Sequence, residues 1–332
     1  TALWAAFLTP GTQAPEATPI KDRRFSDPAW GGNPAFDMIR RSYLLLCDHL
    51  LKGVQDLDGL PEKEQSRLKF ATQSLLDAIS PSNFALTNPE ASHWDATLKS
   101  HAQQLRMFRV RQPFPLILAA HRALPPDQFA KVLRGCVVIA FRYNVIGNLP
   151  TNEQERVYFG AAQKMNQGLA TQALQVFEAL QEIYPKDESF KAVFSEKTNR
   201  TTDTRNNRVV RYILCELEKQ VSGQDWDFES DAFNVEHVLP QNPQSNWSQF
   251  SDQEVEDMVY RIGNMALLTK GANKDIGNSS FAVKRPVLAA APFVLTQKLA
   301  SDNEDWTPSR MAGRQKALAK LASTVWRIDA LS

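Results

Sequence analysis

Apolar residues recur at alternating steps of three and four along most of the chain, the spacing that lays one stripe down a helix. Phe36, Ile39, Tyr43, Leu46 and Leu50 make the first stripe, and Asn33-Pro34 supplies its N-cap and first-turn proline. Gly59 and Pro61 end it. Leu68, Leu75 and Ile79 mark a second helix, which is expected to stop at Ser80-Pro81-Ser82-Asn83. Ahead of both, residues 9–35 are so punctuated by proline and glycine that they read as an extended arm.

From about Ser92 to Gln220 the pattern stays helical, most clearly at Leu169, Ala173, Val176, Leu180 and Ile183. Breaks are expected at Ile146-Gly147-Asn148-Leu149-Pro150 and at Tyr184-Pro185. Beyond Gly223 the texture changes. Residues 226–249 are rich in Asn, Gln, Pro and aromatics, loops are expected to dominate as far as Lys284, and a last helix spans about Pro308 to Ile328. The chain is thus predicted to be mainly α. An arm with a helical hairpin occupies 1–91, a helical domain 92–222, and a C-terminal unit with a closing helix 223–332.

A length of 332 residues suits roughly two domains. With 43% hydrophobic and 23% charged residues, global disorder is excluded. Lys+Arg 38 against Asp+Glu 37 leaves +1, which rules out a wholly basic coat for nucleic acid but not a local basic face. Cys47, Cys136 and Cys215 are odd in number, far apart and in no C-x-x-C pair, so neither a disulfide framework nor a zinc ribbon is expected, and a cytoplasmic location is. The longest apolar runs are too short to cross a bilayer, so no membrane contact is expected. The apolar start, Thr1 to Leu8, lacks the basic lead and cleavage pattern of a signal peptide.

The candidate chemistry sits in Asn234-Val235-Glu236-His237-Val238-Leu239-Pro240, then Ile262-Gly263-Asn264-Met265, Asn273-Lys274 and Phe281-Ala282-Val283-Lys284. Phosphodiester hydrolysis needs a neutral imidazole to deprotonate water and a hard cation, held by oxygen ligands, to offset charge on the phosphate. His237 is the imidazole. Glu236 offers a carboxylate and Asn273 an amide oxygen for Mg²⁺ or Mn²⁺, with Asn278 the alternative to Asn273. In an extended segment Glu236 and His237 point to opposite sides. Asn264 is the candidate to fix the imidazole tautomer. Lys284 reads either as a phosphate contact or as a solvated charge. Arg205, Arg208 and Arg211 form a basic ridge if helical, to track double-stranded DNA or simply to face solvent. The remaining histidines are scattered and read as structural, and the tryptophans Trp30, Trp247, Trp306 and Trp326 as core or lid anchors.

Glu236-His237-Val238-Leu239-Pro240, Gly263-Asn264-Met265 and Asn273-Lys274 together resemble the HNH (ββα-metal) nuclease motif in an H-N-N form. Twenty-seven residues separate His237 from Asn264, and nine separate Asn264 from Asn273. More narrowly, residues 93–332 resemble the C-terminal part of GmrSD-type modification-dependent restriction enzymes, in which a helical region precedes an HNH domain. Arg106–Arg111, Phe141-Arg142-Tyr143-Asn144, Arg211-Tyr212-Ile213-Leu214 and the tail from Trp306 to Arg314, with Trp326, carry that likeness. The resemblance implies a metal-dependent DNA endonuclease of restriction or defence. Glu236 and Asn273 would hold the ion, His237 would be the general base, Asn264 would hold the His-bearing loop and Lys284 would meet a phosphate.

Residues 1–91 resemble something else. Phe25-Ser26-Asp27-Pro28-Ala29-Trp30, Ser42-Tyr43-Leu44-Leu45 and Ser80-Pro81-Ser82-Asn83-Phe84 are similar to the N-terminal region of polyhydroxyalkanoate synthases. No cysteine here has glycines at both flanking positions of a nucleophile elbow, so polymerase activity is not expected. The chain reads as a fusion, and residues 1–91 as a segment that contacts a polyester granule or a synthase. The alternatives to a nuclease are a non-enzymatic DNA-binding or fusion remnant and a synthase-derived fragment.

Overall fold

Side-chain caps open several of the helices, and one helix begins where a stop is expected. In a computed structural model of the chain the described residues are 61–63, 65, 81–92, 94–243 and 245–332. The chain divides into two units, 1–79 and 80–332. The extended arm, the Phe36–Leu50 stripe, the Leu68–Ile79 helix, Trp30, Cys47, His49 and His93 lie outside the described residues.

In the second unit, α1 spans Pro81–Thr87. Proline lacks only an N–H that a first turn leaves unpaired, so Pro81 opens a helix instead of closing one. Helix α2, Ala96–Phe108, is capped by the Asp95 carboxylate on the Leu98 N–H at 2.9 Å. Next come α3, Phe114–Ala123, and α4, Pro126–Ile139, which runs on as a π-helical stretch, Ala140–Ile146. Gly147 and Asn148, the latter at φ 48°, close it at the expected break. Helix α5 is Thr151–Asn166 and α6 is Ala173–Leu180. A Gln172–Gln175 capping box starts α6 at Ala173, so Ala173, Val176, Leu180 and Ile183 face inward while Leu169, ahead of the helix, stays 66% exposed. Helix α7 is Asp187–Glu196. Helix α8, Thr204–Ser222, is capped by Asp203 and closed by Gly223 in the left-handed region.

The stretch expected to be mostly loop holds short elements instead. They are β1 (Phe233–His237), α9 (Asp252–Met258), β2 (Met265–Thr269) and α10 (Lys270–Ile276). Elements of five to seven residues are too short to show a periodic stripe, which is why the pattern reads as loop. Strands β1 and β2 pair antiparallel, with Phe233 opposite Thr269 and His237 opposite Met265. Helices α11 (Phe281–Ala289), α12 (Val294–Ser301) and α13 (Pro308–Val325) finish the chain, the last capped by the Thr307 hydroxyl.

Helix α8 packs against β1, β2, α12 and α13, while α13 packs along α7 and the turn at Ile262–Asn264. The helical middle and the hairpin therefore share one core. Arg142, fully buried in the π-helical stretch, ties it together. Its guanidinium pairs with Asp187 at 2.7 Å and donates to the carbonyls of Pro185, Ser323 and Trp326. The Trp326 ring stacks on Phe141, centroids 3.9 Å apart. Among the described residues, no helix is long and apolar enough to cross a membrane.

Candidate functional site

The C-terminal end of β1 carries Glu236 and His237, and three other elements converge on them. Lys284, fully buried in α11, reaches Glu236 Oε1 at 2.5 Å and donates to the His237 carbonyl at 2.9 Å. Its ammonium also lies 6.0 Å from the Trp247 ring. This corrects the reading of Lys284 as a solvated charge: a buried ammonium needs an anion, and Glu236 supplies it. Burial pushes the Glu236 carboxyl above its ordinary range, opposed by the adjacent Lys284 charge. The same burial pushes the Lys284 ammonium down, opposed by Glu236.

Burial, with Lys284 close by, lowers the His237 imidazole to about 4, so it is neutral near pH 7. Its Nε2 lies 3.0 Å from Thr201 Oγ1, and the Tyr260 ring meets it edge-on at 6.0 Å. Asn264, expected to fix the tautomer, does not touch the ring. Its side-chain oxygen accepts from the Leu239 N–H at 2.8 Å and from Trp306 Nε1 at 3.2 Å, and its amide donates to the carbonyls of Leu239 and Val259. Its backbone oxygen accepts from the Val238 N–H at 2.9 Å. Asn264 thus pins the two residues that follow His237 and is itself fully buried. The difference is one of reach: an amide saturated by the backbone of the loop has no hydrogen bond left for the imidazole.

Asn273, on α10, donates to Asn234 Oδ1 at 2.7 Å and lies 3.5 Å from the Val235 carbonyl, which brings α10 against β1. Asn278 is exposed in the turn after α10. Among the described residues no group of three or more His, Cys, Asp or Glu is placed to hold a metal ion. The oxygen donors at hand are one carboxylate and amides on neighbouring elements.

Residues 184–321 match the GmrSD restriction endonucleases, C-terminal domain. Residues 21–107 match the N-terminus of poly-beta-hydroxybutyrate polymerase (PhaC). Over that region the chain is 41% identical across 93 residues to a poly(3-hydroxyalkanoate) polymerase of Methylorubrum extorquens, covering 27% of this chain and 15% of that protein. It is 38% identical across 91 residues to the PhaC subunit of Rhizobium etli, covering 27% and 14%. For the PhaC subunit of Cupriavidus necator the figures are 34% across 105 residues, covering 32% and 17%. The chain therefore spans about a sixth or less of the length of these relatives. The two likenesses of the fusion are both present, with shifted limits: the polymerase-like one runs to 107 instead of 91, taking in Arg106, and the GmrSD-like one begins at 184 instead of 93.

Every residue of the Glu236–His237 cluster lies in the GmrSD-like region, Thr201 included. So do Arg314 and Gln315 of the closing helix that supports it. Arg314, half-buried in α13, donates to the carbonyls of Gly263 and Met265 at 2.7 and 2.8 Å, on either side of Asn264. Gln315 accepts from the Gly263 N–H at 3.1 Å and donates to the carbonyls of Phe194 and Lys197. The sequence pattern marks neither Thr201 nor Gln315, and it marks Arg314 only as the end of the tail that carries the GmrSD-type likeness. Thr201 stands 36 residues before His237, and no spacing rule joins them.

The basic ridge of the GmrSD-like region is engaged within the protein. Arg205 donates to the carbonyls of Phe108 and Met107 at 2.8 and 3.3 Å. Arg208 pairs with Glu229 and lies over the Phe228 ring, and Arg211 donates to the Ser230 carbonyl and lies over the Phe233 ring. Arg208 is exposed, while Arg205 and Arg211 are half-buried.

Proposed function

We propose that the GmrSD-like region is an HNH-type endonuclease that hydrolyses phosphodiester bonds of double-stranded DNA, in restriction or defence and in the cytoplasm. One observation carries the reading: a neutral imidazole, His237, stands at the end of a β-hairpin whose following helix brings Asn273 against the strand bearing Glu236. The hairpin and α10 together would form the ββα-metal unit.

His237 takes a proton from water, and the oxygen so released attacks phosphorus in line. The new P–O bond forms as the bond to the 3′ oxygen breaks. Asn264 keeps the loop after His237 from drifting, through four side-chain hydrogen bonds. Lys284 anchors the His237 backbone and holds one oxygen of Glu236.

The donor chemistry fits a hard, partly hydrated cation better than a caged one. Oxygen donors of Glu236 and Asn273 would hold Mg²⁺ or Mn²⁺, with water and phosphate completing the shell. Such an ion supplies positive charge for the phosphate and the departing oxygen. Lys284 already neutralises part of the Glu236 charge, so the ion must share that carboxylate.

Supercoiled plasmid, plain and base-modified, incubated with the full chain in Mg²⁺, Mn²⁺ or EDTA tests the reading. Metal-dependent nicking that EDTA stops is the expected result. A folded chain that cuts none of these substrates contradicts it and leaves a non-enzymatic DNA-binding or fusion remnant.

The polymerase-like match over 21–107 favours a second role for that segment, contact with polyester granules or with a synthase, without polymerase activity. Co-sedimentation of the full chain with polyester granules tests it, and a chain that stays in the supernatant removes its basis.

A further inference from the structure

We propose that Thr201 is the positioning residue for His237: its hydroxyl oxygen accepts the Nε2–H of the imidazole and leaves Nδ1 as the bare nitrogen that faces water. The contact rests on geometry, while the tautomer, like its chemical consequence, rests on the nuclease reading. Thr201 Oγ1 and His237 Nε2 are 3.0 Å apart, and Nδ1 has no hydrogen-bond partner among the described residues. A neutral imidazole carries one N–H, and a threonine hydroxyl can accept it or donate to the bare nitrogen, so the contact by itself fits either tautomer. A base needs a bare nitrogen toward water, and Nδ1 is the ring nitrogen without a protein partner among the described residues, so the proton belongs on Nε2 with Thr201 as its acceptor. The other cation of the site, Lys284, is spent on Glu236 and on the His237 backbone carbonyl, so it does not compete for the ring.

Thr201 is also placed firmly enough to do this. It is 7% exposed. The segment leading to it is docked on the strand-like stretch beside Tyr260 by a Thr198–Arg261 bridge and by the Asn199 N–H on the Tyr260 carbonyl at 2.8 Å. Arg261 pairs with Glu196 at the end of α7, and Arg200 lies over the Tyr260 ring at 5.6 Å. Tyr260 in turn borders the imidazole. One short segment between α7 and α8 thus fixes both a wall of the imidazole pocket and its hydrogen-bond acceptor. The base of the hairpin is oriented from outside the hairpin.

The test is a long-range ¹H–¹⁵N correlation spectrum of the histidine-labelled full chain, without metal or DNA, near neutral pH. His237 is assigned by the signal lost in His237→Gln. The expected result is an Nε2-protonated ring in the wild type and in Thr201→Ser, and a mixed or reversed tautomer in Thr201→Val. Thr201→Ala serves the same purpose if the valine variant does not fold. An Nδ1-protonated wild-type ring overturns the proposal, as does a valine or alanine variant that folds and keeps the wild-type tautomer. In cleavage assays the valine variant should lose about 10- to 100-fold in kcat with KM little changed, and serine should restore it. The expected tautomers in a chain that cuts no DNA would uphold Thr201 and refute the nuclease reading.

Discussion

At the scale of single residues, Glu236 and Lys284 make the strongest commitment. Both are buried, and each charge depends on the other. Removing one partner leaves an uncompensated buried charge, which costs about 3–5 kcal/mol, whereas removing both can be nearly neutral. Lys284→Met should therefore destabilise the fold by about 3 kcal/mol in urea titration, and adding Glu236→Gln should recover much of it. Additive losses in the double variant would contradict the pairing. His237 makes a second prediction. Its folded value near 4 lies below its ordinary 6.5, so between those limits the unfolded chain binds a proton that the folded one refuses. Stability from this group is complete above about 6.5 and falls as acid is added, levelling off below about 4. Glu236, shifted up by burial, opposes it by taking a proton more readily when folded. Comparison with His237→Gln isolates the imidazole: between about pH 7 and 5 the wild type should lose about 2 kcal/mol more than the variant. Equal losses would refute the buried neutral ring. Glu236, His237 and Asn264 were legible because adjacent types in a dense motif mark them. Lys284 was found, but its burial was not, because nothing local distinguishes a lysine aimed inward. Thr201 was invisible because its link to His237 is purely tertiary.

At the scale of elements, α13 is the brace of the site. It meets the turn at Ile262–Asn264 so closely that a Cβ on Gly263 would lie 2.6 Å from the Met311 carbonyl oxygen and 2.8 Å from the Gln315 Cβ. Neither atom is the end of a flexible chain, so helix or turn must move. Gly263→Ala should cost about 1–3 kcal/mol, and it should loosen the loop after His237 as Asn264 shifts with its neighbour. Thermal melting measures the first effect, and amide exchange at Val238 and Leu239, both bonded to Asn264, measures the second. A variant with wild-type melting and protection would show that the contact is not tight. The long helices were readable from their apolar spacing, and α13 was placed to within a few residues. The short elements around the hairpin were not, since five to seven residues carry too few apolar positions to establish a period. Pro81 misled because proline both ends helices and starts them.

At the scale of the whole molecule, two likenesses meet within one unit. The polymerase-like match ends at 107, inside α2, and α2 packs on α4 and α8. Arg205, from the GmrSD-like region, donates to the carbonyls of Met107 and Phe108 at the end of α2. Phe108 lies edge-on to Tyr212 at 5.6 Å. The junction is therefore part of the core that carries the hairpin, and a guanidinium expected to track DNA helps to build it. The most direct measurement of the central claim is plasmid nicking by the full chain beside His237→Ala, in Mn²⁺, with circular dichroism showing that both are folded. Nicking by the wild type that falls at least about 100-fold in the variant is the predicted result, the share a general base contributes. Equal nicking by the two chains would contradict His237 as the base.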